Sequence, residues 1–164
     1  MQERQDRLAQ ALLRALAARG HGMAVAESLT GGMLANALVR IPGASRVFQA
    51  GVVAYCNRAK ADMLGVSAGD LTTLGAVSEP VVRSMALGAC RATGADISCA
   101  VSGVAGPGGG SPEKPVGTVW IGWSLHGQTR ARKYLFSGDR DEVRAQTARE
   151  AVKGMLDWVR EKRR

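Results

Sequence analysis

Val25-Ala26-Glu27-Ser28-Leu29-Thr30-Gly31-Gly32-Met33-Leu34 carries a strand pattern into a helical one. The apolar run from Met23 to Ala26 reads as a short buried strand, and a helical pattern starts at Leu29 and continues to Arg40. A strand that turns sharply into a helix exposes the side chain on the turn, here Ser28. The first helical turn offers unpaired backbone N–H groups and the positive end of the helix dipole, and Gly31 and Gly32 allow close approach. Ser28 therefore has two readings: a nucleophile beside an anion site, or a helix N-cap.

Upstream, Leu8, Ala11, Leu12, Ala15 and Leu16 recur at three- and four-residue spacing and predict an amphipathic helix over Gln2 to Arg19. Downstream, the Val-rich segment Arg46 to Cys56 predicts a strand, with Asn57 capping a helix from Arg58 to Leu64. Ser67 to Gly75 reads as a loop. Ser78-Glu79-Pro80 opens a helix to Thr93, and Asp96 to Ser102 is a strand. The Gly- and Pro-rich stretch Gly103 to Pro115 is a long loop inside the domain, a feature that usually carries function. Gly117 to Leu125 alternates as a strand and pairs antiparallel with Thr129 to Phe136 through His126-Gly127. A last helix runs from Asp139 to Arg160, with Asp139 and Glu142 at capping-box spacing. This order predicts an α/β fold, a three-layer α/β/α sandwich with a mixed, partly antiparallel sheet, as one domain over residues 1–164.

Composition narrows the function classes. With 46% hydrophobic and 22% charged residues the chain is globular, and no apolar run reaches the length of a membrane span. Neither a membrane nor a signal peptide is expected, which makes the cytoplasm the expected compartment. Cys56, Cys90 and Cys99 lack C-x-x-C spacing, and His21 and His126 have no acidic cluster beside them, so no metal and no cofactor are expected. The formal charge is +8, and residues 127–164 carry eight Arg and three Lys against six acids, five of the excess charges. Those basic residues are interleaved with acids on a helix, so a solvated face is expected rather than a specific nucleic-acid site. A positive field still favours a small anionic substrate.

A serine nucleophile needs a base, and neither histidine lies at the carboxyl end of a strand. The chain has five lysines among its 22 basic residues, and Lys60 falls at a second strand-to-helix junction. Lysine acts as a base when burial lowers its proton affinity, whereas arginine stays charged. Tyr55 at the same junction could relay a proton or hold the amine. Lys60 and Tyr55 are equally readable as a surface lysine and a packed aromatic. Arg140 and Arg144 share one face early in the last helix, where cations oppose the dipole unless an anion binds between them. Pairing with Asp141 or Glu142 is the other reading.

With these residues collected, the chain resembles the CinA C-terminal domain family, the nicotinamide-nucleotide amidohydrolases, in its stand-alone form. The matching blocks are AESLTGG (residues 26–32), VVAYCNRAKADMLGV (52–66), GAVSEPVV (75–82), SGVAGPGGGSPEKPVGTVW (102–120) and GDRDEVR (138–144). The resemblance implies hydrolysis of nicotinamide mononucleotide to nicotinate mononucleotide and ammonia. It implies Ser28 as nucleophile, Lys60 as general base and Tyr55 as its partner. It also places Thr30, Gly31, Gly32 and the segment Ser102, Gly103, Ala105 and Gly106 around the substrate. A homodimer is the expected assembly. A non-catalytic nucleotide-binding module and a serine-lysine hydrolase of another small amide are the alternatives.

Overall fold

Strand β1 (Met23–Glu27) is buried along its whole length and lies between two parallel neighbours, β2 (Phe48–Val53) and β3 (Ile97–Gly103). β4 (Thr118–Leu125) and β5 (Gln128–Leu135) extend the sheet antiparallel, giving the order β2-β1-β3-β4-β5. The computed structural model describes residues 2–162. Helices cover both faces, so the layers are the expected α/β/α with a mixed sheet.

The two-residue period of the strands sorts the core. Met23 and Val25 of β1, Ile97, Cys99 and Val101 of β3, and Val119, Ile121, Trp123 and Leu125 of β4 face one side. There they meet α1 (Gln2–Ala17), α2 (Met33–Val39) and α6 (Arg140–Glu161). Trp123 keeps its indole N–H satisfied at 2.8 Å on the Ala151 carbonyl of α6. The opposite face carries small residues, Ala24, Ala26 and Ala100, and packs on α3 (Asn57–Leu64), α4 (Ala68–Thr73) and α5 (Glu79–Thr93). Here backbones come close: a Cβ at Gly88 of α5 would run into the Leu64 carbonyl at the end of α3.

Four local expectations change. The helix after β1 begins at Met33, because Leu29 to Gly32 form a turn and Gly32, at φ 104°, precedes the helix without a capping side chain. Ser28 is therefore not the N-cap. β2 is shorter than the segment Arg46 to Cys56, with Ala44–Arg46 forming a 3-10 turn before it. Cys56, not Asn57, caps α3, its sulfur accepting from the Ala59 N–H at 3.5 Å. Residues 68–73, expected as loop, form α4, capped by the Ser67 hydroxyl on Asp70 N–H and burying Leu71. The Asp139–Glu142 capping box of α6 is present. No helix among the described residues is long and apolar enough to cross a membrane.

The missing side-chain cap of α2 is replaced from a distance. Alternation along β1 turns Glu27 toward α2, where its fully buried carboxylate accepts from Leu34 N–H at 2.8 Å and Ala35 N–H at 3.0 Å. A charged acceptor at a helix N-terminus satisfies two orphan donors and opposes the dipole. Glu27→Gln puts an amide donor against one of those N–H groups, and we expect a loss of about 1–3 kcal/mol in urea unfolding.

Candidate active site

One residue beyond Glu27 the alternation reverses, and Ser28 turns toward α3. Lys60 lies on α3 one turn before Leu64, so both fall on the stripe that packs inward. The two side chains meet: Lys60 Nζ lies 3.0 Å from Ser28 Oγ, although 32 residues separate them. Lys60 is 1% exposed and Ser28 8%. Nζ also donates to the carbonyls of Ala54 at 3.0 Å and Tyr55 at 3.1 Å, where the chain leaves β2. Among the described residues Lys60 has no salt bridge. Burial lowers its pKa from the ordinary lysine value, and the nearby Cys56 opposes that shift weakly.

Ser28 and Lys60 line a cavity of about 310 Å³ at the carboxyl ends of β1, β2 and β3, where open α/β sheets hold ligands. Ser102, Gly103, Ala105 and Gly106 form its far wall, and Ala76 and Val77 add an apolar edge. Gly106 has φ +85°, and a Cβ there would strike Val116, so the loop turns tightly over the cavity. The Leu29, Ala105 and Gly106 N–H groups find no protein acceptor among the described residues.

Arg140 stands at the rim. Its guanidinium donates to the Gly106 carbonyl at 2.8 Å and to the Tyr55 hydroxyl at 3.3 Å, tying α6, the Gly-rich loop and the exit of β2 together. The Tyr55 side chain is exposed and pairs with Arg140, so the residue holds the amine through its main-chain carbonyl and not through its phenol. Arg144 does not line the cavity. It donates to the carbonyls of Leu29 at 2.9 Å and Thr30 at 3.0 Å and pairs with Asp141, bracing the turn that carries Ser28. Thr30, Gly31 and Gly32 also lie outside the cavity lining. The α2 amides expected to face a ligand are taken by Glu27 at Leu34 and Ala35. Sequence reasoning missed Glu27 as well as the lining residues Asn57, Ala76 and Val77. The available signal for Glu27 was a carboxylate placed between an apolar strand and a helix with no capping side chain.

The CinA C-terminal domain family model matches residues 5–159. A nicotinamide-nucleotide amidohydrolase PncC from Enterobacter agglomerans is 53% identical over 135 residues, 82% of either chain. The protein of that name from Escherichia coli K12 is 50% identical over 140 residues, 85% of either chain. A CinA-like protein from Akkermansia muciniphila is 53% identical over 82% of this chain, which spans 33% of that longer protein. The chain likewise spans 37% of a CinA-like protein from Anaeromyxobacter. A crystal structure of a CinA superfamily protein from Klebsiella pneumoniae superposes with a TM-score of 0.92 at 39% identity, covering 96% of this chain and 98% of that one. With the family model matched over residues 5–159 and relatives about half identical across most of its length, the chain belongs to the CinA C-terminal domain family.

Proposed function

We propose that the chain hydrolyses the carboxamide of nicotinamide mononucleotide, releasing ammonia and nicotinate mononucleotide. The observation that carries the chemistry is the hydrogen-bonding arithmetic at Lys60. A neutral amine has two N–H groups and one lone pair. The Ala54 and Tyr55 carbonyls can only accept, so they take the two N–H groups. The lone pair is left facing the Ser28 hydroxyl at 3.0 Å. Loss of one proton from Lys60 thus converts Ser28 from acceptor to donor, and burial favours that loss. The substrate reading is supported by the names of the PncC relatives, which are 50% and 53% identical to this chain over the aligned residues.

Ser28 Oγ attacks the amide carbon as its proton passes to Lys60 Nζ. The carbonyl oxygen becomes an oxyanion, for which the free N–H groups of Leu29, Ala105 and Gly106 are the available donors. Lys60 returns the proton to the leaving nitrogen, and ammonia departs. Water then attacks the ester, Lys60 takes its proton, and Ser28 leaves with that proton restored. Arg140 at the rim is the cation placed to receive a phosphate in exchange for its Tyr55 contact. Arg144, with Thr30, Gly31 and Gly32 in the turn it holds, is a positioning element. The exposed apolar side chains Val53, Tyr55 and Met63 support the homodimeric assembly.

Three measurements test this reading. Purified protein given nicotinamide mononucleotide should release ammonia, and Ser28→Ala should reduce the rate about a thousandfold or more while keeping the circular dichroism spectrum; turnover unchanged by the substitution would remove Ser28 from the chemistry. Arg140→Ala should raise KM for the mononucleotide about tenfold or more and leave KM for the phosphate-free riboside nearly unchanged. Lys60 supplies a pH signature. The folded state disfavours its proton, while the unfolded chain binds it with the ordinary value of 10.5. Stability therefore rises with pH between the lowered folded value and 10.5, and this contribution is constant below that window. Lys60→Met cannot titrate. The stability of the wild type relative to Lys60→Met should climb across an alkaline series of urea melts, and a flat difference would refute a depressed amine.

A further inference from the structure

Ser102 brings a second buried hydroxyl to the cavity, and the reaction proposed above leaves it without a task. On the sheet face toward α3 and α5 the side chains follow the strand period. Ala24 and Ala26 lead along β1 to Ser28, and Ser98 and Ala100 lead along β3 to Ser102. The parallel register pairs Glu27 with Val101. Ser28 and Ser102 stand one step further on, side by side, with their backbones at the spacing of neighbouring strands, about 5 Å. Ser102 is 1% exposed.

The serine below it in the series is committed: the Ser98 hydroxyl donates to the Ala86 carbonyl at 2.6 Å. The Ser102 hydroxyl makes no hydrogen bond among the described residues. Nor is it sealed inside the protein, as the unpartnered polar atoms of Thr30, Ser124 and Trp158 are. It opens on the cavity beside the nucleophile. A buried hydroxyl is costly to leave unpaired, so this one is provisioned for a ligand.

A carboxamide asks for two kinds of partner, because its oxygen accepts and its nitrogen donates. The free N–H groups of Leu29, Ala105 and Gly106 suit the oxygen. The nitrogen needs an acceptor. The side-chain oxygens that line the cavity belong to Ser28, Tyr55, Asn57 and Ser102. Ser28 is the nucleophile, the Tyr55 hydroxyl already accepts from Arg140, and Asn57 is exposed at the start of α3. The nearby carbonyls of Ala54, Tyr55 and Gly106 are held by Lys60 and Arg140.

We infer that Ser102 is a second catalytic hydroxyl, the one that receives the carboxamide nitrogen; this role rests on the deamidase reading above. In the bound amide Ser102 Oγ accepts one N–H. Attack by Ser28 makes that nitrogen an amine with a lone pair. Holding one of its N–H groups fixes rotation about the C–N bond, so the lone pair stays where Lys60 can reach it. Lys60 delivers the proton it took from Ser28, the C–N bond breaks, and ammonia leaves. Ser102 keeps its own proton throughout. An ester presents no N–H at this position, so its cleavage does not draw on Ser102.

The test compares nicotinamide mononucleotide with the methyl ester of nicotinate mononucleotide, each read as kcat/KM. For both compounds that ratio reports the steps up to the acyl-enzyme, the stage Ser102 serves. Ser102→Ala should lower the ratio for the amide about tenfold or more and move the ratio for the ester less than about threefold. The retained ester rate shows that the nucleophile and the oxyanion donors of the variant are intact. Equal losses on amide and ester would make Ser102 a prop of the strand end, and an undiminished amide rate would make it a bystander. Either result overturns this role while deamidation stands. Wild-type protein that releases no ammonia from the mononucleotide removes the reaction and this role together.

Discussion

A buried amine governs this fold. Lys60 is among the largest fully buried side chains of the molecule, and among the described residues it has no carboxylate to neutralise it. An ammonium ion in that position is costly to desolvate, and an amine without acceptors would be nearly as poor a fit. The chain resolves this by ending β2 with two carbonyls turned onto Nζ and ending β1 with a hydroxyl in the third direction. On the mechanism proposed above, the arrangement that makes the burial tolerable is also the one that aims the lone pair.

Around that contact the structure divides labour by charge and by reach. Two long side chains from α6 hold the cavity's walls: Arg144 pins the turn after β1, and Arg140 spans from the Gly-rich loop to Tyr55. One is saturated by two carbonyls and an aspartate, so it is scaffold. The other keeps a long, exposed bond to a phenol, the contact that the proposed phosphate site would exchange.

Patterns of hydrophobic period revealed the sheet, its antiparallel edge, the long helices and the junctions bearing Ser28 and Lys60, because those are properties of neighbouring residues. What escaped the sequence is non-local. The start of α2 depends on Glu27 reaching seven residues forward, so the apparent helical pattern from Leu29 overstates the helix. Helix α4 is six residues long and rests on one buried leucine and one capping serine, too little periodicity to distinguish from a loop. The equal treatment of Arg140 and Arg144 followed from their shared helical face. Their different partners, 34 and 115 residues away, appear only when the chain is folded. In the sequence Tyr55 stands out by its ring, yet its contact with the amine comes from a peptide carbonyl that any residue would supply.

The thinness of one layer has its own consequence. Ala24, Ala26 and Ala100 keep the sheet surface low beneath α5, and Gly88 on α5 lets α3 come close at the Leu64 carbonyl. A lysine side chain has a fixed length, and α3 must sit low for its tip to reach the end of β1. The small residues beneath therefore act as a gauge block, setting the gap between amine and hydroxyl from a place that touches neither.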